Sequence, residues 1–361
     1  MPKEKHPRIL FLARRFPPSV GGIQTTCYHL YKHISAQYPV KLVALGKQST
    51  LHLSWFIPYA FLVAFFQVLF RRVDVVFFSD GVICVLAPFL KPFSKARFVV
   101  TIYGLEVTYQ HPVNTQLMKW GFAACERIAT ISQHSKNLIK KFGEPAEKVD
   151  VIYLGVEPPE LLENTKNTLK TQFEKTHNLK LGHDKILLNF GRQVPRKGIA
   201  AFLEKGVPLL DPDITLLISG HGPETETIER IHRKMNLNDR IKLIYLNDEM
   251  LAMLRGQVDL FLMPNIPYPG DAEGFGIAPL ECMYDGTPVV AFAVDALTES
   301  VQKGGYLIPP NDYRTFVDQI HAFFKMSPEE RSAIKQEARE YVRTEYTWTK
   351  TAKEYFDFLK G

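Results

Sequence analysis

The chain has 361 residues, 46% of them hydrophobic and 23% charged, and a net charge of +6. That length exceeds one ordinary core and suits two α/β domains, and the apolar content excludes a disordered chain. The charge is uneven: residues 1–160 carry 19 Lys and Arg against 10 Asp and Glu (+9), and residues 161–361 carry 25 against 28 (−3), so the first half suits an anionic partner. No Lys/Arg block interleaved with aromatics appears, so nucleic acid is not expected as a partner. The four cysteines, Cys27, Cys84, Cys125 and Cys282, form no C-x-x-C pair and lie in apolar stretches, which predicts buried thiols in a reduced, cytoplasmic chain. The start runs directly into a short strand without a small-residue cleavage site, so a signal peptide is not expected.

Strand-like runs alternate with helical patterns, which predicts parallel sheets with crossover helices. Arg8 to Ala13 reads as the first strand, and Gly21-Gly22 opens a helix over Gln24 to Tyr38. Strands are expected at Val40 to Leu45, Val73 to Ser79, Arg97 to Ile102, Arg127 to Ile131 and Val149 to Tyr153, with helices near 55–70, 114–125 and 134–142. The stretch Trp55 to Phe70, interrupted by Pro58 and Gln67, is shorter than the ~20 residues that span a bilayer. It reads either as an aromatic helix packed on a sheet or as a helix lying among lipid head groups, with Arg71 and Arg72 at its end. Residues 1–160 make the first doubly wound domain.

Between Glu157 and Asp184 the sequence turns polar, consistent with a domain connection and a helix around 165–178. A second domain, 161–326, continues with strands at Lys185 to Phe190, Ile214 to Ser219, Ile241 to Tyr245, Leu260 to Met263, Pro288 to Ala291 and Gly305 to Ile308. Ser327-Pro-Glu-Glu330 predicts an N-cap, a proline at the first helical position and a capping-box glutamate. Aromatics from Tyr341 to Phe358 mark the last segment, 327–361, as an apolar tail.

Two loops carry candidate chemistry. Gly191-Arg-Gln-Val-Pro-Arg-Lys-Gly198 follows the first strand of the second domain and sets Arg192 and Lys197 five residues apart. Ligands of open α/β sheets bind at the carboxyl ends of strands, so these cations are placed to meet a pyrophosphate and stabilise charge on a leaving phosphate. Glu273-Gly-Phe-Gly-Ile-Ala-Pro-Leu-Glu281 sets two carboxylates eight positions apart across a glycine turn that opens a helix. Gly274 and Gly276 are expected where backbone approaches a ligand, and the helix start suits an anion. Glu273 can accept from ligand hydroxyls and Glu281 from a diol such as a ribose. Gly21-Gly22 departs from G-x-G-x-x-G, which disfavours an oxidoreductase with a dinucleotide site. Asp211-Pro-Asp213 has the form of a metal-binding D-x-D, yet it lies between a helix and a strand where it reads as a turn, and no metal is expected. His221, in Ser219-Gly-His-Gly-Pro223, reads as a turn residue, and no nucleophile elbow appears.

With those two loops in this order, the chain resembles the retaining, GT-B-fold glycosyltransferases of family 4 (glycosyl transferases group 1), most strongly over 186–301. The resemblance implies two Rossmann-like domains facing across a cleft, with the terminal helices crossing back to the first domain, and transfer of a sugar from a nucleoside diphosphate sugar to a hydroxyl acceptor with retention. It assigns Arg192, Lys197 and Glu273 to catalysis and Gly22, Gly191, Gly274, Phe275, Gly276, Ile277 and Glu281 to the donor. Backbone near Tyr245 to Asn247 would meet the base. Gly21, Tyr103 and Glu106 fall on the acceptor side, with Asp80 and Glu106 read equally as helix caps. Where the family usually has a histidine that contacts the donor sugar, this chain has Tyr103, which can donate a hydrogen bond but cannot relay protons at neutral pH. No cofactor is implied, only the nucleotide sugar. The acceptor is expected to be a saccharide or lipid-linked glycan of the cell envelope, met by peripheral contact with an anionic membrane. A sugar-nucleotide epimerase of the same fold and a non-catalytic binding scaffold remain the alternatives.

Overall fold

A computed structural model describes residues 6–19, 21–47, 50–108, 111–237 and 240–360. Most of the leading segment and Val20 of the first loop lie outside the described residues. The chain divides into two compact units: one takes the residues up to Gly155 with Gly270–Phe275 and the segment from Thr347 onward, the other takes Val156–Pro269 and Gly276–Tyr346.

The first unit holds strands β1 (Ile9–Ala13), β2 (Val40–Ala44), β3 (Val75–Phe78), β4 (Arg97–Ile102), β5 (Arg127–Thr130) and β6 (Val149–Val151) in one sheet, ordered β2-β1-β3-β4-β5-β6 and wholly parallel. Its helices are α1 (Gly22–Ser35), α2 (Leu53–Leu69), the single turns α3 (Ala87–Leu90) and α4 (Leu105–Thr108), α5 (Pro112–Ala124) and α6 (Gln133–Phe142). Strand side chains alternate between faces, so two cores form. Leu10, Leu12, Val76, Phe78, Phe98 and Val100 pack under α2, α3 and α5. Ile9, Phe11, Val75, Phe77 and Val99 pack under α1 and the last helix of the chain, whose Tyr355 is fully buried. Both faces being covered is why these strands read as unbroken apolar runs.

The second unit holds β7 (Lys185–Phe190), β8 (Ile214–Ser219), β9 (Ile241–Ile244), β10 (Leu260–Met263), β11 (Val289–Phe292) and β12 (Gly305–Ile308), ordered β12-β11-β10-β7-β8-β9 and parallel. Counted within the unit this is the 3-2-1-4-5-6 order of nucleotide-binding doubly wound sheets, with the order reversing between β7 and β10. Its helices are α7 (Glu163–His177), α8 (Ile199–Lys205), α9 (Thr225–Lys234), α10 (Asp248–Arg255), α11 (Ile277–Tyr284), the turn α12 (Leu297–Ser300), α13 (Tyr313–Lys325) and α14 (Pro328–Glu345). At α14 the Ser327 hydroxyl accepts from Glu330 N at 3.2 Å while the Glu330 carboxylate accepts from Ser327 N at 2.8 Å, closing the capping box. The terminal segment expected as one piece is divided: α14 counts with the second unit, and α15 (Trp348–Lys360) with the first.

Candidate functional site

In the second unit, the strands flanking the reversal point, β7 and β10, lead into the two loops of interest. The loop after β7 is fixed by backbone bonds on both sides. Gly191 N donates to Ser219 O (3.1 Å) and Gln193 N to His221 O (3.1 Å), and Ile266 N, beyond β10, donates to Arg196 O (2.8 Å). Buried Gln193 accepts from the Thr225 hydroxyl at 2.6 Å, which pins the middle of the loop. Held at both ends, this backbone presents Arg192 exposed and Lys197 half-buried on a 3₁₀ turn, so little conformational entropy remains to be lost when an anion binds.

Helix α11 starts on Gly276, whose φ of 82° lies in the left-handed region. A Cβ there would come within 3.0 Å of Leu297 and 3.1 Å of Ser300. As N-cap, Gly276 offers no side-chain acceptor, so the amides of Ile277 and Ala278 keep their donors for another anion. Two turns on, Glu281 lies 3.7 Å from the Arg255 guanidinium, which also binds Asp285 at 2.9 Å. Burial pushes the Glu281 carboxyl above the usual range, and Arg255 opposes it. Beyond β9, Tyr245 is 91% exposed beside a hollow of about 240 Å³ lined by Phe173, His177, Asn247 and Met250.

Glu273, Gly274 and Phe275 count with the first unit, whereas Arg192 and Lys197 count with the second. Glu273 is 9% exposed. A Cβ on Gly274 would collide with the Tyr103 carbonyl oxygen, so the protein's own backbone already demands a glycine at this position. Ser132, N-cap of α6, donates from its hydroxyl to Gly274 O at 2.8 Å. The Phe275 ring is 2% exposed and stacked on Tyr153, with centroids 6.0 Å apart, so it is a core group, leaving only its backbone to meet a donor.

At the reversal point of the first sheet, between β1 and β3, Arg14 Nε donates to Asp80 Oδ1 at 2.9 Å. The same oxygen accepts from Val82 N and Ile83 N, so Asp80 caps the turn that follows, while Oδ2 is buried with no partner among the described residues. Gly21, with φ of 151°, caps α1, and Gly22 is its first residue. Glu106 is buried and both its oxygens accept from Tyr103 N at 3.2 Å. Burial, with the Asp80 charge adding to it, raises its carboxyl above the usual range. Tyr103 falls on the acceptor side by resemblance, where it can donate a hydrogen bond. Its hydroxyl lies 3.6 Å from Cys27 Sγ and the residue is 5% exposed, so the phenol belongs to the interior. Asp213 pairs with Lys185 at 2.7 Å, and Asp211 N donates to His321, which are turn and strand contacts. Sequence reading missed Arg255, Asp285, Ser132, Arg14 and Tyr153; each acts through a partner distant in sequence, which no local spacing signals.

The family model described as "Glycosyl transferases group 1" matches residues 170–341, and "Glycosyltransferase Family 4" matches residues 20–159. Relatives include the N-acetyl-alpha-D-glucosaminyl L-malate synthase of Bacillus anthracis, 22% identical over 72% of this chain and 67% of the relative. The lipopolysaccharide core biosynthesis mannosyltransferase LpsB of Rhizobium meliloti is 36% identical over 43% of this chain and 47% of its own length. A putative colanic acid biosynthesis glycosyltransferase, WcaL of Escherichia coli, is 23% identical over 70% of this chain. The matched regions span 60% and 61% of the length of two of the curated relatives. Among solved structures, Anabaena HepE in complex with UDP and glucose has a TM-score of 0.76 at 18% identity, covering 98% of this chain and all of that one. Sucrose-phosphate synthase of Thermosynechococcus elongatus has a TM-score of 0.79 at 18% identity, covering 98% of both chains. These likenesses show the fold.

Proposed function

The chain belongs to the glycosyl transferases group 1 family and has the GT-B fold, and on that premise we propose that it transfers a sugar from a nucleoside diphosphate sugar to a hydroxyl acceptor with retention of configuration. One observation carries this reading: the strands that meet at the reversal point of the second sheet lead to a braced loop bearing Arg192 and Lys197 and to a helix capped by a bare glycine. Two cations and two open amides suit a diphosphate, and they grow stronger as charge develops on the leaving phosphate. They supply the neutralisation that a divalent ion would otherwise provide, so the reaction is proposed to need neither metal nor other cofactor. HepE was solved with UDP and glucose, which supports a nucleoside diphosphate as the ligand class.

In this reading Glu281, oriented by Arg255, holds the ribose diol, and exposed Tyr245 offers a ring on which the base can stack. The acceptor oxygen forms its bond to the anomeric carbon as the bond from that carbon to phosphate breaks. Both electrons leave with the diphosphate, and the acceptor proton passes to a phosphate oxygen on the same face. The acceptor is proposed to be a saccharide or lipid-linked glycan of the cell envelope, the setting printed in the names of LpsB and WcaL, reached at the cytosolic face of an anionic membrane. Four buried free cysteines support a reducing compartment.

The inward Tyr103 hydroxyl favours one second reading, a scaffold that binds donor without transferring it. Incubation with UDP- and GDP-sugars, with and without glycan acceptors, followed by NMR of the anomeric centre, separates the two. An α-linked product from an α-linked donor supports the enzyme, whereas binding without transfer or hydrolysis supports the scaffold.

A further inference from the structure

Helix α2 is apolar on both faces. Phe56, Ala60, Ala64 and Val68 face the sheet core, and the opposite stripe, Trp55, Tyr59, Leu62, Phe66, Leu69 and Phe70, is between 43% and 60% exposed. These positions recur every three or four residues, so they line one side of the helix over its whole length. Only Ser54 and Pro58 interrupt the stripe, and no charged residue lies on it. Phe89 and Phe93, on α3 and the turn after it, extend the patch at 52% and 54% exposure, with Phe93 brought to α2 by an edge contact to Phe65. A helix that faces water is normally polar on its outer side, and apolar exposure on this scale marks a surface that something covers.

Charge shows what covers it. No Asp or Glu occurs anywhere from Lys5 to Val73, a stretch containing nine Lys and Arg, so the whole excess of +9 in the first 160 residues lies there. Arg71 and Arg72 stand exposed at the carboxyl end of α2, and Arg72 lies 5.5 Å from the Phe70 ring centroid. The nearby acids are engaged: Asp74 pairs with Arg8, and Glu126 with Lys91 and Arg97. Among the described residues no helix is long and apolar enough to cross a membrane, and α2 is fastened to the sheet by its inner face. We propose that the outer stripe of α2, with Phe89 and Phe93, is a docking face for the surface of an anionic lipid bilayer, with the aromatic rings at the head-group boundary and Arg71 and Arg72 on lipid phosphates. Trp and Tyr, apolar with one polar atom, suit that boundary. A second copy of the chain fits worse, because the stripe carries no carboxylate to pair with Arg71 and Arg72 of another copy, and the nearby Asp74 and Glu126 are already engaged.

This extends the membrane part of the proposed function and stands apart from the donor site, so its test reads lipid binding without donor. The purified protein is sedimented with vesicles of phosphatidylcholine alone and of phosphatidylcholine with 30% phosphatidylglycerol, and Trp fluorescence is followed. The expected result is binding to the anionic vesicles with a blue shift, weakened at least tenfold in the triple variant Trp55→Ser, Tyr59→Ser, Phe66→Ser and at least threefold in Arg72→Glu. UDP-sugar affinity and thermal unfolding should be unchanged in both, since the substituted side chains are exposed. Equal vesicle binding by wild type and triple variant, or none by wild type, overturns the proposal. So does a concentration-dependent dimer in equilibrium sedimentation that the triple variant abolishes, which would assign the stripe to a second copy.

Discussion

Arg255, 4% exposed, holds Glu281 at 3.7 Å and Asp285 at 2.9 Å, so the second carboxylate of the E-x7-E segment is set in place by a buried cation 26 residues upstream. The arrangement restricts the Glu281 rotamer while leaving the carboxylate half-exposed, able to accept from a further donor.

Replacing Arg255 with Met should therefore act twice. It leaves two acids without their counter-charge, a loss of about 3 kcal/mol in urea unfolding, and it frees Glu281. Glu281→Ala should spare stability to within about 1 kcal/mol and weaken donor binding at least tenfold, or roughly 1.4 kcal/mol. Donor affinity unchanged in both variants would show that Glu281 holds no part of the ligand.

Gly274 and Ser132 form a second junction. A methyl at Gly274 meets the Tyr103 carbonyl, and overpacking of this kind costs about 1–3 kcal/mol. Ser132→Ala removes both the cap of α6 and the bond to Gly274 O, at about 1–2 kcal/mol. Calorimetric melting of the two single variants and the double should reveal coupling, because they act on one contact; strict additivity would contradict it.

Tyr103→Phe removes only a hydroxyl directed at Cys27. Turnover should stay within twofold of wild type, with stability lower by about 0.5–1 kcal/mol. A tenfold loss of turnover at unchanged stability would return the phenol to the reacting sugar.

Glu106 offers a pH signature. Burial first and Asp80 second raise its folded pKa above the ordinary glutamate value of 4.5. The native state then keeps a proton that the unfolded chain has already lost, so the contribution is complete below the unfolded value and disappears as pH rises through the folded one. Wild type should lose stability relative to Glu106→Gln as pH rises from 4 to 7, measured by urea unfolding. A difference that does not change with pH would contradict the assignment.

The strands were legible because parallel strands buried on both faces are short apolar runs between polar turns; Lys185 to Phe190 and Arg97 to Ile102 match residue for residue. The single turns α3, α4 and α12 are too short to establish a helical period. In the candidate site, Arg192, Lys197 and Glu281 announce themselves by residue type and spacing. The inward turn of Tyr103, the core role of Phe275 and the grouping of Gly270–Phe275 with the first unit do not, since each depends on packing against residues more than 70 positions away.

The most direct measurement is calorimetric titration of wild type, Arg192→Ala and Lys197→Ala with UDP and GDP. Wild type should bind at least one of them, and each substitution should weaken that binding tenfold or more while melting remains unchanged. Identical affinities in all three proteins would contradict the claim that these two cations hold the diphosphate.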